Sequence, residues 1–222
     1  MSLFIILFVM VLSYVIGSIP WGVVVVRIFT GKDVRKIGSG RTGGTNVMRA
    51  AGFGAGLLTA ILDVGKGLAS GWIADAIVPG NVWVKVLAAV IAMLASTHSI
   101  FYMERDEMGK IHLRGGAGGA TGLGAAMALW PISIFIILPV AVIAFGLIGY
   151  ASVTTISIAA AATVIFTVRA VVVDAPWQYI IFGILALLIV LSALRPNLKR
   201  LREGTERVVG LRAYYLKRSN QH

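Results

Sequence analysis

Two short stretches of this chain hold the residue types that grip anions. From Gly38 to Arg49 it reads GSGRTGGTNVMR, with four glycines, two arginines, two threonines, a serine and an asparagine; from Arg114 to Gly122 it reads RGGAGGATG. Glycines let successive backbone N–H groups turn toward one concavity, and the positive end of a following helix adds to that field. Arg35, Lys36, Arg41, Arg49 and Arg114 stand in or beside these loops and could supply the forks and point charges that hold a phosphate. A phosphate-bearing substrate is the guest such loops fit. A second reading stays open, because small residues also let membrane helices pack closely, and Gly115, Gly119 and Gly124 could serve that purpose alone. Neither loop is a Walker box, since GxxxxGK followed by Ser or Thr is missing, and neither carries a dinucleotide fingerprint. There is no cysteine, and the three histidines form no spaced cluster with carboxylates, so thiolate chemistry is excluded and a metal site is not expected.

The elements that must position these loops are apolar. Of 222 residues 58% are hydrophobic and 13% charged, which makes the chain an integral membrane protein. The hydropathy pattern predicts an all-α fold with seven transmembrane spans, at about 3–27, 53–77, 82–101, 116–130, 132–149, 152–173 and 177–194. The first run lacks a basic leader and a small-residue cleavage site, so it is expected to stay in the mature protein. Residues 1–194 then form one membrane domain, and 195–222 a basic tail that either lies on the anionic leaflet as a helix or is disordered. Seventeen of the 20 lysines and arginines fall in three segments, Arg27 to Arg49, Arg105 to Arg114 and the tail. Seven spans put all three on one side, which the positive-inside rule makes cytoplasmic, with the N-terminus outside. That placement, beside apolar spans, explains the net charge of +11 by lipid head groups rather than nucleic acid.

At this point the motifs resemble a known family, the bacterial acyl-phosphate-dependent glycerol-3-phosphate acyltransferases. GSIPWG at Gly17 to Gly22 is similar to the family's opening segment, and SGRTGGTNVMR at Ser39 to Arg49 to its Ser-Gly-Asn-x-Gly-Ala-Thr-Asn-x-x-Arg motif. LLTAILDVGKG at Leu57 to Gly67 resembles its second helix, and GGAGGATG at Gly115 to Gly122 its Gly-Gly-Lys-Gly-Val-Ala-Thr motif. SVTT at Ser152 to Thr155 stands at a Ser-x-x-Ser pair, and NLKRLREGTE at Asn197 to Glu206 at the closing segment. The resemblance implies a seven-helix enzyme of the bacterial inner membrane that moves an acyl group from acyl phosphate to the sn-1 hydroxyl of glycerol 3-phosphate, giving lysophosphatidate, with no cofactor and no metal. The HxxxxD box of other glycerophosphate acyltransferases is absent, because Met103 follows His98 and Ala117 follows His112 at that spacing. Carried onto this chain, the resemblance makes Ser39, Arg41 and Arg49 the expected catalytic residues. Gly40, Gly43, Thr45 and Asn46 of the first loop, Arg114, Gly115, Gly116, Gly118 and Thr121 of the second, and Ser152, Thr155, Asn197 and Arg200 are expected to bind substrate phosphate.

The chain departs from that pattern at three polar positions. Arg41 replaces an asparagine, Ala117 a lysine, and Leu194 a histidine three residues before the closing asparagine. The segment between His98 and Gly115 is also longer and holds the charged run ERDEMGK. Arg41 is expected to compensate for the lost lysine, since arginine holds phosphate well. The alternatives are a relative that acts on another phosphate-bearing substrate, and one that lost the reaction and serves as a lipid-binding or structural subunit of a larger membrane complex. Asp63 and Lys66, three apart on one helix face, read as a mutually satisfied structural pair. His98 reads as a packing residue, Ser152 as a hydrogen-bonding group rather than a nucleophile, and the five tryptophans as interfacial anchors.

Overall fold

The structure, a computed structural model, describes residues 2–105 and 108–219. Asp106 and Glu107 of the charged run, and the last three residues with His222, lie outside them. The first apolar segment, long enough to cross a membrane, is built from two helices, α1 (Leu3–Ser18) and α2 (Trp21–Thr30). Pro20 causes the break, because it has no N–H to give to the helix. The carbonyls freed there must be satisfied inside the membrane. Ser99 Oγ donates to the Ser18 carbonyl, and Lys66 Nζ donates to that of Ile19 at 3.1 Å while pairing with Asp63 at 2.9 Å. The structural reading of Asp63 and Lys66 therefore holds: together they close the helix break.

A short amphipathic helix, α3 (Gly44–Ala51), leads at Gly52 into α4 (Phe53–Ile77), and α5 (Val82–Thr97) follows. The expected third span, 82–101, thus ends early. Its last residues belong instead to an antiparallel hairpin of β1 (Ser99–Arg105) and β2 (Ile111–Arg114), with Glu104 opposite His112. The all-α expectation is corrected by this hairpin. Tyr102 turns inward from it, buried, while its neighbours Phe101 and Met103 face out, the two-residue alternation of a half-covered strand.

The expected fourth span is also shorter than 116–130. It is α6 (Gly119–Leu129), whose 11 residues rise about 16 Å against the roughly 30 Å of a hydrocarbon core. It is packed among α4, α5 and α8 (Ala151–Val172). Close approach of α4 and α6 needs small residues: a Cβ on Gly124 would stand 1.9 Å from the Val64 carbonyl, and one on Gly67 2.1 Å from that of Thr121. After a turn at Pro131–Ser133 the chain forms α7 (Ile134–Ile143), which widens into a π turn at Ala144–Ile148. α9 (Gln178–Ala193) and the basic α10 (Arg195–Arg202) meet at 65°, and α11 (Gly210–Ser219) ends the described chain.

Four apolar helical segments are long enough to cross a membrane, Leu3–Thr30, Phe53–Ile77, Pro131–Ile148 and Ala151–Val172; α9 with α10 makes up to five. The core lies between α5, α6, α8 and α9, around Met93, Phe166 and Phe182. Outward faces of α1, α4 and α7 present Phe4, Ile61 and Phe135.

Candidate active site

The first glycine loop is organised around one side chain. Asn46 Oδ1 accepts from the Ser39 N–H at 3.1 Å, and its Nδ2 is shared among the carbonyls of Val34 (3.3 Å), Ile37 (2.9 Å) and Arg41 (3.0 Å). Asn46, expected to bind phosphate, spends its hydrogen bonds on holding the loop. Gly38 and Gly40 have φ of 60° and 70°, the left-handed turns that favour glycine. Gly22 lets the loop approach the helices, since a Cβ there would sit 1.9 Å from the Thr42 carbonyl. Arg35 and Lys36, expected as phosphate forks, do not line the cavity the loop encloses. Arg35 is paired with Asp33 at 2.6 Å, which holds that carboxyl down at about 2.

The hairpin braces this loop from the far side. The Tyr102 hydroxyl lies 2.8 Å from Glu104 Oε1 and 3.2 Å from the Gly40 carbonyl. Burial, reinforced by Glu104, pushes the phenol up to about 12. Arg114 pairs with Glu104 at 2.9 Å.

The second loop divides its glycines between packing and display. Gly115 is a packing residue, for a Cβ there would stand 2.2 Å from the Ser96 carbonyl. Gly116 donates its N–H to that carbonyl at 2.9 Å. Gly118, at φ 82°, turns the chain into α6, and neither α6 nor α3 has a side-chain cap. The N–H groups of a first helical turn have no intrahelical partners. Gly44 and Thr45 of α3, and Gly119 and Ala120 of α6, line one cavity, so two helix N-termini serve it.

That cavity has a volume of about 800 Å³. Besides Arg35 and Lys36, the expected residues that do not line it are Gly40, Arg114 and Gly115. Gly40 and Arg114 are engaged with Tyr102 and Glu104, and Gly115 is packed against the Ser96 carbonyl. Four arginines stand on the wall: Arg41, Arg49, Arg200 and Arg207. Burial lowers the pKa of Arg41, with Arg200 and Arg114 adding repulsion, and burial followed by Arg207 lowers that of Arg49. Both start high enough to remain cations. From this polar end the cavity runs into an apolar trench between Leu57 and Ile61 of α4 and Ile134, Leu138 and Phe145 of the α7 segment.

Glu206 is the residue the sequence reading left without a role. It is buried, and accepts from Ser152 Oγ at 2.6 Å and from Asn197 Nδ2 at 3.1 Å. Ser152, expected to hydrogen-bond substrate phosphate, instead donates its hydroxyl hydrogen bond to the Glu206 carboxylate. Thr155 likewise donates to the Ala151 carbonyl at 3.0 Å, and Thr121 to Ser96 Oγ at 3.0 Å. Asn197 Oδ1 is buried without a partner among the described residues, an acceptor that suits a hydroxyl better than a phosphate. The signal for Glu206 was present in REGTE. Gly204, at φ 68°, ends α10 while Gly204 N–H bonds the Leu201 carbonyl and Thr205 N–H that of Arg200, a Schellman turn that swings Glu206 back under the site.

Arg41, Ala117 and Leu194, the three departures from the family pattern, all face this one cavity, and Arg41 donates to the Ala193 carbonyl at the end of α9. His98 does not line it, and its ring pairs with Thr97 Oγ1 at 2.8 Å. Among the described residues no group of three or more His, Asp or Glu could hold a metal ion.

Comparison with known proteins places the sequence and fold. A family model described as glycerol-3-phosphate acyltransferase fits residues 7–204. The glycerol-3-phosphate acyltransferase 2 of Moorella thermoacetica is 36% identical over 209 residues, covering 93% of this chain and 99% of that one. A glycerol-3-phosphate acyltransferase of Thermus thermophilus is 38% identical, covering 92% and 95%. The crystal structure of PlsY, an integral membrane glycerol 3-phosphate acyltransferase in its glycerol 3-phosphate form, superposes with a TM-score of 0.79 at 29% identity, over 92% of this chain and 96% of that chain. Sequence along nearly its whole length and fold agree, and the chain belongs to the glycerol-3-phosphate acyltransferase family.

Proposed function

We propose that this acyltransferase takes its acyl group from acyl phosphate and places it on the sn-1 hydroxyl of glycerol 3-phosphate, in the bacterial cytoplasmic membrane. The observation that carries the reading is the shape of the cavity: two uncapped helix N-termini and four arginines at one end, an apolar trench at the other. Two phosphate groups, each bearing about −1.5 to −2 charges at neutral pH, need that many cations and backbone donors. The trench suits an acyl chain reaching in from lipid.

Transfer is a displacement at the carbonyl carbon. The hydroxyl oxygen forms the new ester bond, the bond to the phosphate oxygen breaks, and phosphate leaves with the electron pair. Among the described residues the cavity lining holds no histidine or lysine; of its two carboxylates, Asp63 is paired with Lys66 at 2.9 Å and Glu206 accepts from Ser152 and Asn197. The hydroxyl proton therefore passes to a phosphate oxygen of the substrates. Asn197 Oδ1 accepts a glycerol hydroxyl; Arg41, Arg49 and the first-turn N–H groups of α3 and α6 hold the phosphates and the developing charge on the carbonyl oxygen. Ser39, on the loop that Asn46 fixes, lies on the same wall and orients the donor phosphate.

We further place α5 and α6 as short crossings completed by their neighbours, giving seven crossings with the N-terminus outside, the cavity facing the cytoplasm, and residues 195–219 folding back onto the membrane domain. This keeps the basic segments on one side. Purified protein in nanodiscs, given palmitoyl phosphate and labelled glycerol 3-phosphate, should release lysophosphatidate and phosphate in equal amounts. Equal turnover with acyl-CoA, or none with acyl phosphate, would refute the donor.

A further inference from the structure

The match to the family model ends at residue 204, yet the chain goes on to build another helix. α11 is docked at its base. Val209 N–H bonds the Gly149 carbonyl at 2.8 Å, a Cβ on Gly210 would meet the Phe145 carbonyl at 2.1 Å, and Arg212 donates to the Ile148 carbonyl at 3.2 Å with its guanidinium 5.0 Å from the Tyr150 ring. Its outer surface is uncovered: Leu211, Tyr214, Tyr215 and Leu216 are exposed by 54, 61, 64 and 47%. α11 packs against the π turn after α7, where Leu147 and Ile148 are exposed in the same way. From Arg207 to Ser219 the sequence has four cations and no acid.

Leucine and tyrosine interleaved with arginine and lysine, continuous with a lipid-facing band, match the boundary between acyl chains and anionic head groups. We propose that α11 lies on the bilayer surface and binds the head groups of anionic phospholipids, anchoring the 205–209 strap that carries Glu206 beneath the cavity. A face that closed on water alone would not carry its large side chains outward beside the membrane band, and one that bound only charge would not need the tyrosines. The inference is independent of which acyl donor the enzyme uses.

The chain has no cysteine, so a single label site is clean. Full-length protein carrying Tyr215→Cys, tagged with an environment-sensitive fluorophore, is placed in nanodiscs of phosphatidylcholine alone or with phosphatidylglycerol. The label should turn apolar, resist iodide and be quenched by doxyl lipid only when phosphatidylglycerol is present, and molar salt should reverse the change. Neutralising Lys217 and Arg218 together should weaken the response to phosphatidylglycerol about 30-fold. A label that iodide quenches at every lipid composition overturns the proposal, and so does lipid contact that is indifferent to phosphatidylglycerol and salt. Glycerol-3-phosphate acyltransferase activity in the labelled protein confirms that it is folded.

Discussion

Replacing Arg41 with alanine separates the cation's use to the fold from its use to the reaction. In the resting protein the guanidinium gains one hydrogen bond, to the Ala193 carbonyl, but is partly desolvated and repelled by Arg200 and Arg114. A hydrogen bond to a charged group is worth about 1.5–3 kcal/mol, and the two penalties offset most of it, so Arg41→Ala should change stability by less than about 1 kcal/mol. A phosphate in the cavity converts the repulsive crowd of arginines into a favourable one. Loss of one charge-assisted bond to it then lowers kcat/KM by about 10- to 150-fold, at about 1.4 kcal/mol per factor of ten. Arg41→Lys keeps the charge and loses the fork, and should fall between. The double variant Arg41→Ala with Ala117→Lys returns a cation to the same wall and should recover at least about tenfold of the loss. Lysophosphatidate formation from acyl phosphate and labelled glycerol 3-phosphate, with melting followed in parallel, decides it. Unchanged turnover in Arg41→Ala, or no recovery from Ala117→Lys, would refute the idea that Arg41 supplies the missing charge.

Other perturbations test the supports of the site. Glu206→Gln trades a carboxylate held by Ser152 and Asn197 for an amide, and should cost about 2–3 kcal/mol together with a drop in kcat/KM; a double-mutant cycle with Ser152→Ala should show coupling of about 1–2 kcal/mol. Asn46→Ala unties four backbone groups, so melting should fall and KM for glycerol 3-phosphate rise, and Asn46→Asp should fail as well because it cannot donate to the three carbonyls. Lys66→Met leaves Asp63 buried without its cation at a cost of about 3–5 kcal/mol, most of which the double variant with Asp63→Asn should restore. Tyr102 is held up at about 12, so the stability from its neutral hydroxyl is complete below the usual phenol value near 10 and disappears as pH climbs past about 12; a phenolate absorbance titration should lose its latest-titrating group in Tyr102→Phe.

The convergence of two glycine loops and the start of the tail was legible because it rests on residue type. Glycine runs, arginines and apolar segment lengths are visible one residue at a time, and charge asymmetry put all three segments on one side. The donors' destinations were not legible. Asn46 and Ser152 are good phosphate ligands in isolation, but each has a partner a few ångströms away whose need is greater: open loop carbonyls in one case, the Glu206 carboxylate in the other. Gly115 and Gly124 were left open between packing and binding, and the structure resolves both as packing. The hairpin is not legible because Ile100 and Phe101 continue the apolar run of α5, so hydropathy alone extends the span to 101.

The cation inventory explains how the cavity works without a lysine. Four arginines in a partly desolvated space repel one another, and that repulsion falls on whichever group can escape it by releasing a proton. A lysine starts near 10.4 and shifts readily when buried, whereas arginine starts so high that the lowering seen at Arg41 and Arg49 leaves them charged. Concentrating the charge in arginines therefore keeps the wall cationic in the empty enzyme, ready for substrates that bring their own negative charge. Glu206 limits the cost: held by Ser152 and Asn197 and close to Arg41 and Arg49, it sets one carboxylate against the cations. The geometry of the tail, turned by Gly204 and held at Gly149, is what brings that carboxylate to the arginine cluster.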